Sequence, residues 1–267
     1  MSRLTLSWHN LEQKPGQDLC LKIPVCAAYH PVIDRAFPDL KHIGWRPDTK
    51  GTCFTFIKQC STEQRAKLAD FLELLNTVLL LTPDRCLQSH FSDELTEAYA
   101  LGFNFQPGMS LLAYTTVGQL EQKAKEQRTA WAIEDLAARL AETIRRHPTL
   151  HRADFIAAMP RRPSSRFHLP IELVDRLAVL LGRPTGLALE KVELPKMRRL
   201  TLPKKLQFLT GAFHLRESVC GKSVLIIDDL FQSGSSAWSL ARFLKAHGAR
   251  EVYALACVKS RRDTDNQ

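Results

Sequence analysis

The sequence has no apolar run approaching the ~20 residues that span a bilayer. Its first residues, Met1 to His9, lack the apolar core of a signal peptide. The expected setting is cytoplasmic, with no membrane partner. Closely spaced cysteine pairs are missing too. The seven cysteines are an odd, scattered set, and Cys20-x5-Cys26 and Cys53-x6-Cys60 are too wide for the usual zinc knuckle. Reduced thiols are therefore expected, with a zinc site from Cys20, Cys26, Cys53 and Cys60 as the lesser alternative. No recognised nucleic-acid motif is present. The net charge of +9 therefore points first to an anionic ligand, and direct nucleic-acid contact stays open without a motif behind it. A P-loop is excluded as well. Gly221-Lys222-Ser223 superficially resembles one, but Arg216 stands where the earlier glycine is required and the tripeptide precedes a strand.

What is present is a chain of 267 residues, 45% hydrophobic and 24% charged, ordinary for one large or two small globular domains. Its organising stretch runs from Lys222 to Lys245. Val224 to Ile227 is a short apolar run, β-branched at three of its four positions, which fits a strand buried on both faces. Asp228 and Asp229 follow where that strand should emerge. Next come Gln232, Ser233, Gly234, Ser235 and Ser236, then Ala237, Leu240, Ala241 and Leu244 at helical spacing. A helix N-terminus offers unpaired N–H donors and a positive partial charge, and small residues let the backbone close around an anion. The two carboxylates would repel a phosphate. They suit vicinal sugar hydroxyls or a hydrated divalent cation. One ligand has both halves: a ribose 5-phosphate.

Along the rest of the chain, Leu19–Ala28 and Thr52–Lys58 read as strands and Ser61–Leu80 as a helix capped by Ser61. Asp93–Leu101 is expected to be a second helix. From residue 109 the pattern changes. A strand is expected at Ser110–Thr115, helices at Val117–Glu126 and Trp131–Arg146, and a buried strand at Phe155–Met159. Helix Leu169–Leu181, strand Thr185–Leu189, the Val224 strand, a helix to His247 and a final strand Glu251–Val258 follow. Alternation of this kind implies a parallel sheet with helices on both faces, whose ligands bind beyond the carboxyl ends of the strands. The loop carrying Arg161, Arg162 and Arg166 should share that edge with Asp228–Ser236 and match phosphate oxygens with its guanidinium forks.

The run Ile226-Ile-Asp-Asp-Leu-Phe-Gln-Ser-Gly-Ser-Ser236 resembles the loop by which type I phosphoribosyltransferases bind 5-phosphoribosyl 1-diphosphate (PRPP). The basic segment Glu190–Phe213, ending in Leu209-Thr-Gly-Ala-Phe-His-Leu215, is similar to the ComF-type branch of that family. The resemblance covers residues about 110–258. It implies an α/β, parallel-sheet phosphoribosyltransferase fold over 109–267, with an additional α+β region over 1–108 acting as an accessory or hood. It further implies that Asp228 and Asp229 hold the ribose hydroxyls and, through water, Mg2+. Gln232, Ser233, Gly234, Ser235 and Ser236 would hold the 5′-phosphate, and Arg161, Arg162 and Arg166 the pyrophosphate. Lys196, Arg198 and Arg199 would belong to a flexible loop that closes over the ligand. The implied reaction transfers the phosphoribosyl group to an unidentified acceptor and releases pyrophosphate.

Two departures qualify this reading. The cysteine array common at the N-terminus of ComF-type proteins is missing. Gln232 stands where purine transferases carry an acidic base, and an amide cannot take that proton. The alternatives are a non-catalytic PRPP or nucleotide sensor, and an accessory protein in DNA uptake, repair or phage defence. In the sensor reading, residues 1–108 would engage a protein or nucleic-acid partner; an appended domain, a lid, or an interface between copies of the chain in a homo-oligomer stays open for the same region.

Overall fold

The computed structural model describes residues 5–14, 16–24, 28–48, 51–107, 113–195 and 200–261. Its contacts divide it into two units. One comprises residues 2–79 and 143–151; the other comprises residue 1, 80–142 and 152–267. The division therefore falls elsewhere than at residue 108, for a reason given below.

The first unit is α+β. Strands β1 (Asn10–Glu12), β2 (Leu19–Pro24), β3 (Arg46–Asp48) and β4 (Thr52–Ile57) form an antiparallel sheet in the order β1-β2-β4-β3. Leu19, Leu21 and Ile23 on β2 and Cys53, Thr55 and Ile57 on β4 are buried while their neighbours are not, the two-residue alternation of a half-covered sheet. Helix α1 (Tyr29–Ala36) joins β2 to β3. Helix α2 (Thr62–Thr77) begins with a reciprocal cap: Gln64 N–H donates to Ser61 Oγ (3.1 Å), and Ser61 N–H to Gln64 Oε1 (3.0 Å). That satisfies two amides the helix leaves open. Its apolar stripe, Leu68, Phe71, Leu72 and Leu75, is fully buried. The six described cysteines are free thiols. Cys26 lies outside the described residues, and no cluster of His, Cys, Asp or Glu among those described could hold a metal ion.

The second unit is built on a five-stranded sheet in the order β5-β6-β11-β10-β7, with β5 (Leu79–Leu80), β6 (Glu97–Ala100), β7 (Phe155–Ala158), β10 (Ser223–Phe231) and β11 (Glu251–Lys259). Strands β6, β11, β10 and β7 run parallel. Here the expectation for Asp93–Leu101 fails. Glu97, Ala98, Tyr99 and Ala100 form a strand, not a helix, because all four are buried in register with Tyr253–Ala256. A central strand of this sheet thus comes from the stretch assigned to residues 1–108, which shifts the division. After α3 (Arg85–Gln88) and β6 come α4 (Thr116–Glu126) and α5 (Ala130–Arg146), then α6 (Pro148–His151) in the first unit. Helix α5 buries Ile133, Leu136, Leu140 and Ile144, as its periodicity predicts. Residues 110–112 of the strand expected at Ser110–Thr115 lie outside the described residues; Tyr114 makes a single bridge to Phe105.

Helix α7 (Leu169–Leu181) ends where Gly182 takes a left-handed conformation (φ 63°), the usual use of glycine past a helix end. The next strand is shorter and later than expected. Thr185–Ala188 form no strand, and Gly186 N–H donates to Ile156 C=O (3.0 Å). Strand β8 (Leu189–Lys191) instead pairs antiparallel with β9 (Phe213–Leu215) in a separate two-stranded ribbon, with α8 (Leu202–Leu209) between them. Helix α9 (Ser235–Ala246) closes the β10–β11 crossover. The connections β7–α7–β10 and β10–α9–β11 step the same way across the sheet, whereas β6 to β7 steps back over it. Right-handed crossovers then put α7 and α9 on one face and α4 on the other. Among the described residues, no helix is long and apolar enough to cross a membrane.

Candidate functional site

The site lies where β10 outlasts one of its neighbours. On the β7 side, pairing ends at Ile227 with Ala158, and Met159 N–H makes the last bond, to Ile227 C=O (2.8 Å). On the β11 side, pairing continues to Phe231 with Lys259. Asp228 and Asp229 were expected just beyond the strand; they are instead inside it, along this half-open stretch. Ser223 to Ile227 are buried, and Asp228, Asp229 and Leu230 are partly exposed. The chain leaving β7, Pro160 onward, diverges there, and the gap is a cleft at the carboxyl ends of parallel strands.

The turn at the end of β10 is rigid by construction. Gly234 caps α9 with φ 87°, a conformation that disfavours any residue with a Cβ. A Cβ there would come within 2.7 to 2.8 Å of the Trp238 and Phe231 rings. Those rings pack edge to face at 5.7 Å and are buried, so they are the floor of the turn. Trp238 N–H makes the first helical bond, to Gly234 C=O (3.0 Å); Ser235 N–H reaches Ser233 Oγ at 3.5 Å, and the amides of Ser236 and Ala237 precede the helical bonding. The hydroxyls of Ser233 and Ser235 lie 3.2 Å apart. Behind the turn, buried Lys259 on β11 donates from Nζ to Gln232 C=O (2.7 Å) and Ser260 C=O (2.9 Å). A buried charge is costly unless its hydrogen bonds are made, and these hold the turn to the sheet.

The carboxylates form a tighter group than two residues. Asp228 Oδ1 accepts from Asp229 N–H (2.9 Å). Burial, then the Asp229 charge, pushes the Asp228 pKa well above the carboxylate range. Asp229 Oδ2 pairs with Lys125 Nζ on α4 at 2.7 Å, and Lys125 lies 3.5 Å from Glu121 one turn earlier. Burial pushes Glu121 up to about 7, against the opposing pull of Lys125. Burial also works against the Lys125 ammonium, but Asp229 and then Glu121 outweigh it and hold its pKa above the ordinary value. Buried Cys257 on β11 completes the group; desolvation first, then Asp229 and Glu121, raise its thiol and keep it protonated. His168, preceding α7, donates from Nε2 to Met159 C=O (2.6 Å). Burial lowers its pKa, with Asp229 opposing.

A cleft of about 240 Å3 runs along the turn and reaches Asp228, whereas Asp229, with Lys125, Glu121, Cys257 and His168, lies outside its lining. Arg162, Lys191, Lys205 and Asp228 line it together with the turn from Gln232 to Ala237. So Asp228, Gln232, Ser233, Gly234, Ser235, Ser236 and Arg162 converge. Arg161 lines a neighbouring, more apolar cleft of about 510 Å3 with Ile171, Val174 and Leu187, and Lys191 borders both. Arg166 lines neither. The loop between them is tied down by Ser164, whose N–H and Oγ both donate to Glu193 (3.0 Å each). Lys196, Arg198 and Arg199 lie outside the described residues. Sequence reasoning missed Glu121, Lys259 and His168, and gave Lys125 no role. The signal available was Glu121 and Lys125 at i, i+4 on one helical face.

No family model and no curated protein matches this chain. Among solved structures it is similar to a hypoxanthine phosphoribosyltransferase from Staphylococcus aureus, at 13% identity over 49% of this chain and 67% of that one, with a TM-score of 0.32. It is similar to the HGPRT-ase from Leishmania tarentolae in complex with GMP, at 17% identity over 49% of this chain and 65% of that one, with a TM-score of 0.30. It is also similar to the hypoxanthine phosphoribosyltransferase of Trypanosoma cruzi, at 13% identity over 55% and 71%, with a TM-score of 0.32. Likeness at this level decides nothing for this chain, and the site rests on its own geometry.

Proposed function

We propose that this chain binds PRPP in the β7–β10 cleft, in the manner of a ComF-type phosphoribosyltransferase, and transfers its phosphoribosyl group with release of pyrophosphate. One observation carries the reading: a left-handed glycine turn at a helix N-terminus, a carboxylate and a guanidinium line the same cleft beyond parallel strands. Open amides and a helix dipole favour the 5′-phosphate, carboxylate oxygens the sugar hydroxyls, and Arg162 the diphosphate. Lys191 adds positive charge between the two clefts; burial and then Arg162 lower its pKa, and a bound anion would act in the opposite direction.

The chemistry in this reading is displacement at ribose C1 through an oxocarbenium-like state, helped mainly by positioning and electrostatics. Hard carboxylate oxygens suit Mg2+, yet among the described residues no group of three or more His, Cys, Asp or Glu side chains could hold an ion by itself, and Lys125 already takes one oxygen of Asp229. Asp228 and Asp229 would therefore meet, through water, a Mg2+ carried by the diphosphate. That ion would neutralise leaving-group charge.

Calorimetric titration with PRPP and Mg2+ tests the site. The double variant Asp228→Asn, Asp229→Asn is expected to abolish binding; retained affinity would remove the carboxylates from the site. Gln232 favours a second reading, a sensor that binds without turnover, since its amide cannot serve as base. Incubation with a panel of bases separates the two. Pyrophosphate release means transfer; binding without release means sensing.

A further inference from the structure

Lys125 is placed with unusual care for a residue outside the cleft's motifs. Helix α4 is capped by Thr115, whose Oγ1 accepts from Gly118 N–H (3.0 Å) and donates to Phe103 C=O. At Gly118 a Cβ would lie 2.0 Å from the Asn104 carbonyl oxygen, so the helix is pressed directly onto that backbone. The same segment is tied to the end of β11, through Asn104 N–H to Lys259 C=O (3.1 Å) and Lys259 N–H to Gly102 C=O (2.8 Å). Gly118, Glu121 and Lys125 recur at i, i+3 and i+7, on one helical face. The pinning contact at Gly118 therefore aims Glu121 and Lys125 at the sheet end carrying Asp229.

The result is one cation among three carboxyl groups. Facing Asp229 are Lys125 and Glu121 from α4, Asp228 on its own strand, Cys257 on β11, and His168 before α7. Glu126 on α4 acts on Glu121, and Arg161 on His168. Asp229 has only 14% of its side chain exposed and Glu121 10%. Asp228 Oδ1 is already engaged by Asp229 N–H (2.9 Å), and Lys125 is the group that engages Asp229 Oδ2. With Lys125 2.7 Å from Oδ2, the orientation of the Asp229 carboxyl group is fixed.

We propose that Lys125, braced by Glu121, is a positioning residue for the hydroxyl edge of the bound ribose phosphate, acting through Asp229. This rests on the ribose phosphate reading and deepens it. Discrimination between sugars is set from α4, on the opposite side of the sheet from the helix that receives the phosphate.

The test is calorimetry with three probes: ribose 5-phosphate, 2-deoxyribose 5-phosphate and inorganic phosphate. Wild type should prefer the ribose compound. In Lys125→Met that affinity should fall about tenfold, the order expected for one charge-assisted hydrogen bond, while phosphate affinity changes less than twofold. Lys125→Arg should retain the preference, and Glu121→Gln should weaken it less than Lys125→Met. In an Asp229→Asn background, Lys125→Met should add nothing. A parallel loss for ribose 5-phosphate and phosphate would mark Lys125 as structural and overturn the proposal. So would an unchanged preference, or full additivity with Asp229→Asn. If Lys125→Met does not fold, failure of Lys125→Arg to retain the preference overturns it as well. Should wild type bind none of the probes, the ribose phosphate reading itself falls. Binding that is indifferent to Lys125 sinks only this proposal.

Discussion

The two ends of the cleft are made differently. The end proposed for the phosphate is local: Phe231, Gly234, Ser235 and Trp238 lie within eight residues, and backbone shape does the work. The end proposed for the hydroxyls is assembled from distant parts, with Asp229 on β10 paired to Lys125 from α4, more than 100 residues earlier. One end is rigid because a glycine is locked against two rings. The other is held by charge balance, so its properties depend on which groups are ionised. A local end should break all at once when its backbone is disturbed, and a distributed end should break by degrees.

The largest expected effect tests the rigid end. Gly234→Val demands a left-handed conformation from a β-branched residue and drives a side chain into rings already 2.7 to 2.8 Å from the ideal Cβ position. Backbone strain and overpacking together cost about 2–5 kcal/mol. Chemical denaturation should show that loss, and titration with inorganic phosphate should show binding gone. A variant that is both stable and competent would mean the turn is not locked. Lys259→Met comes next. It removes the donor to Gln232 C=O and Ser260 C=O, at about 1–3 kcal/mol for hydrogen bonds to a charged group, and should weaken phosphate affinity while sparing discrimination between ribose and 2-deoxyribose 5-phosphates. If discrimination fell instead, the two ends would not be separable.

The same contrast explains what could be read in advance. The apolar run Val224–Ile227, the acidic pair and the glycine turn fall in one short stretch, so residue types alone exposed them. Ser61 as the α2 cap was legible for the same reason, although its reciprocal partner Gln64, three residues on, was not picked out. Burial by distant strands was not. Glu97–Ala100 looked helical because nothing nearby announces that β11 will lie alongside, and Thr185–Leu189 looked like a sheet strand although β8 pairs elsewhere. Lys259 ends a strand, where a lysine ordinarily reaches water; only the fold sets it under Gln232, 27 residues earlier. Of the three arginines, spacing could not say that Arg162 alone would line the cleft with the turn.

The smallest expected effect probes the charge balance through pH. Glu121 is pushed from an ordinary 4.5 up to about 7, mainly by burial. A carboxyl group raised in the folded state favours folding while protonated. Its contribution is whole below about 4.5 and is lost as pH climbs to about 7. Asp228, also raised, acts in the same direction. The raised Lys125 loses its contribution only in strong alkali, outside this window. Glutamine keeps the shape of Glu121 and cannot ionise. The stability of wild type relative to Glu121→Gln should therefore decline between pH 5 and 7, with a slope no steeper than about 1.4 kcal/mol per pH unit for a single proton. Urea denaturation of both proteins at pH 5, 6, 7 and 8 reads this directly. A flat difference would mean that Lys125 fully compensates Glu121 in its ionised form. A difference that holds level from pH 5 to 8 and falls away only at lower pH would mean that the carboxylate is ionised and stabilising throughout, and that Asp229 and Glu121 are held by ordinary ion pairs with Lys125.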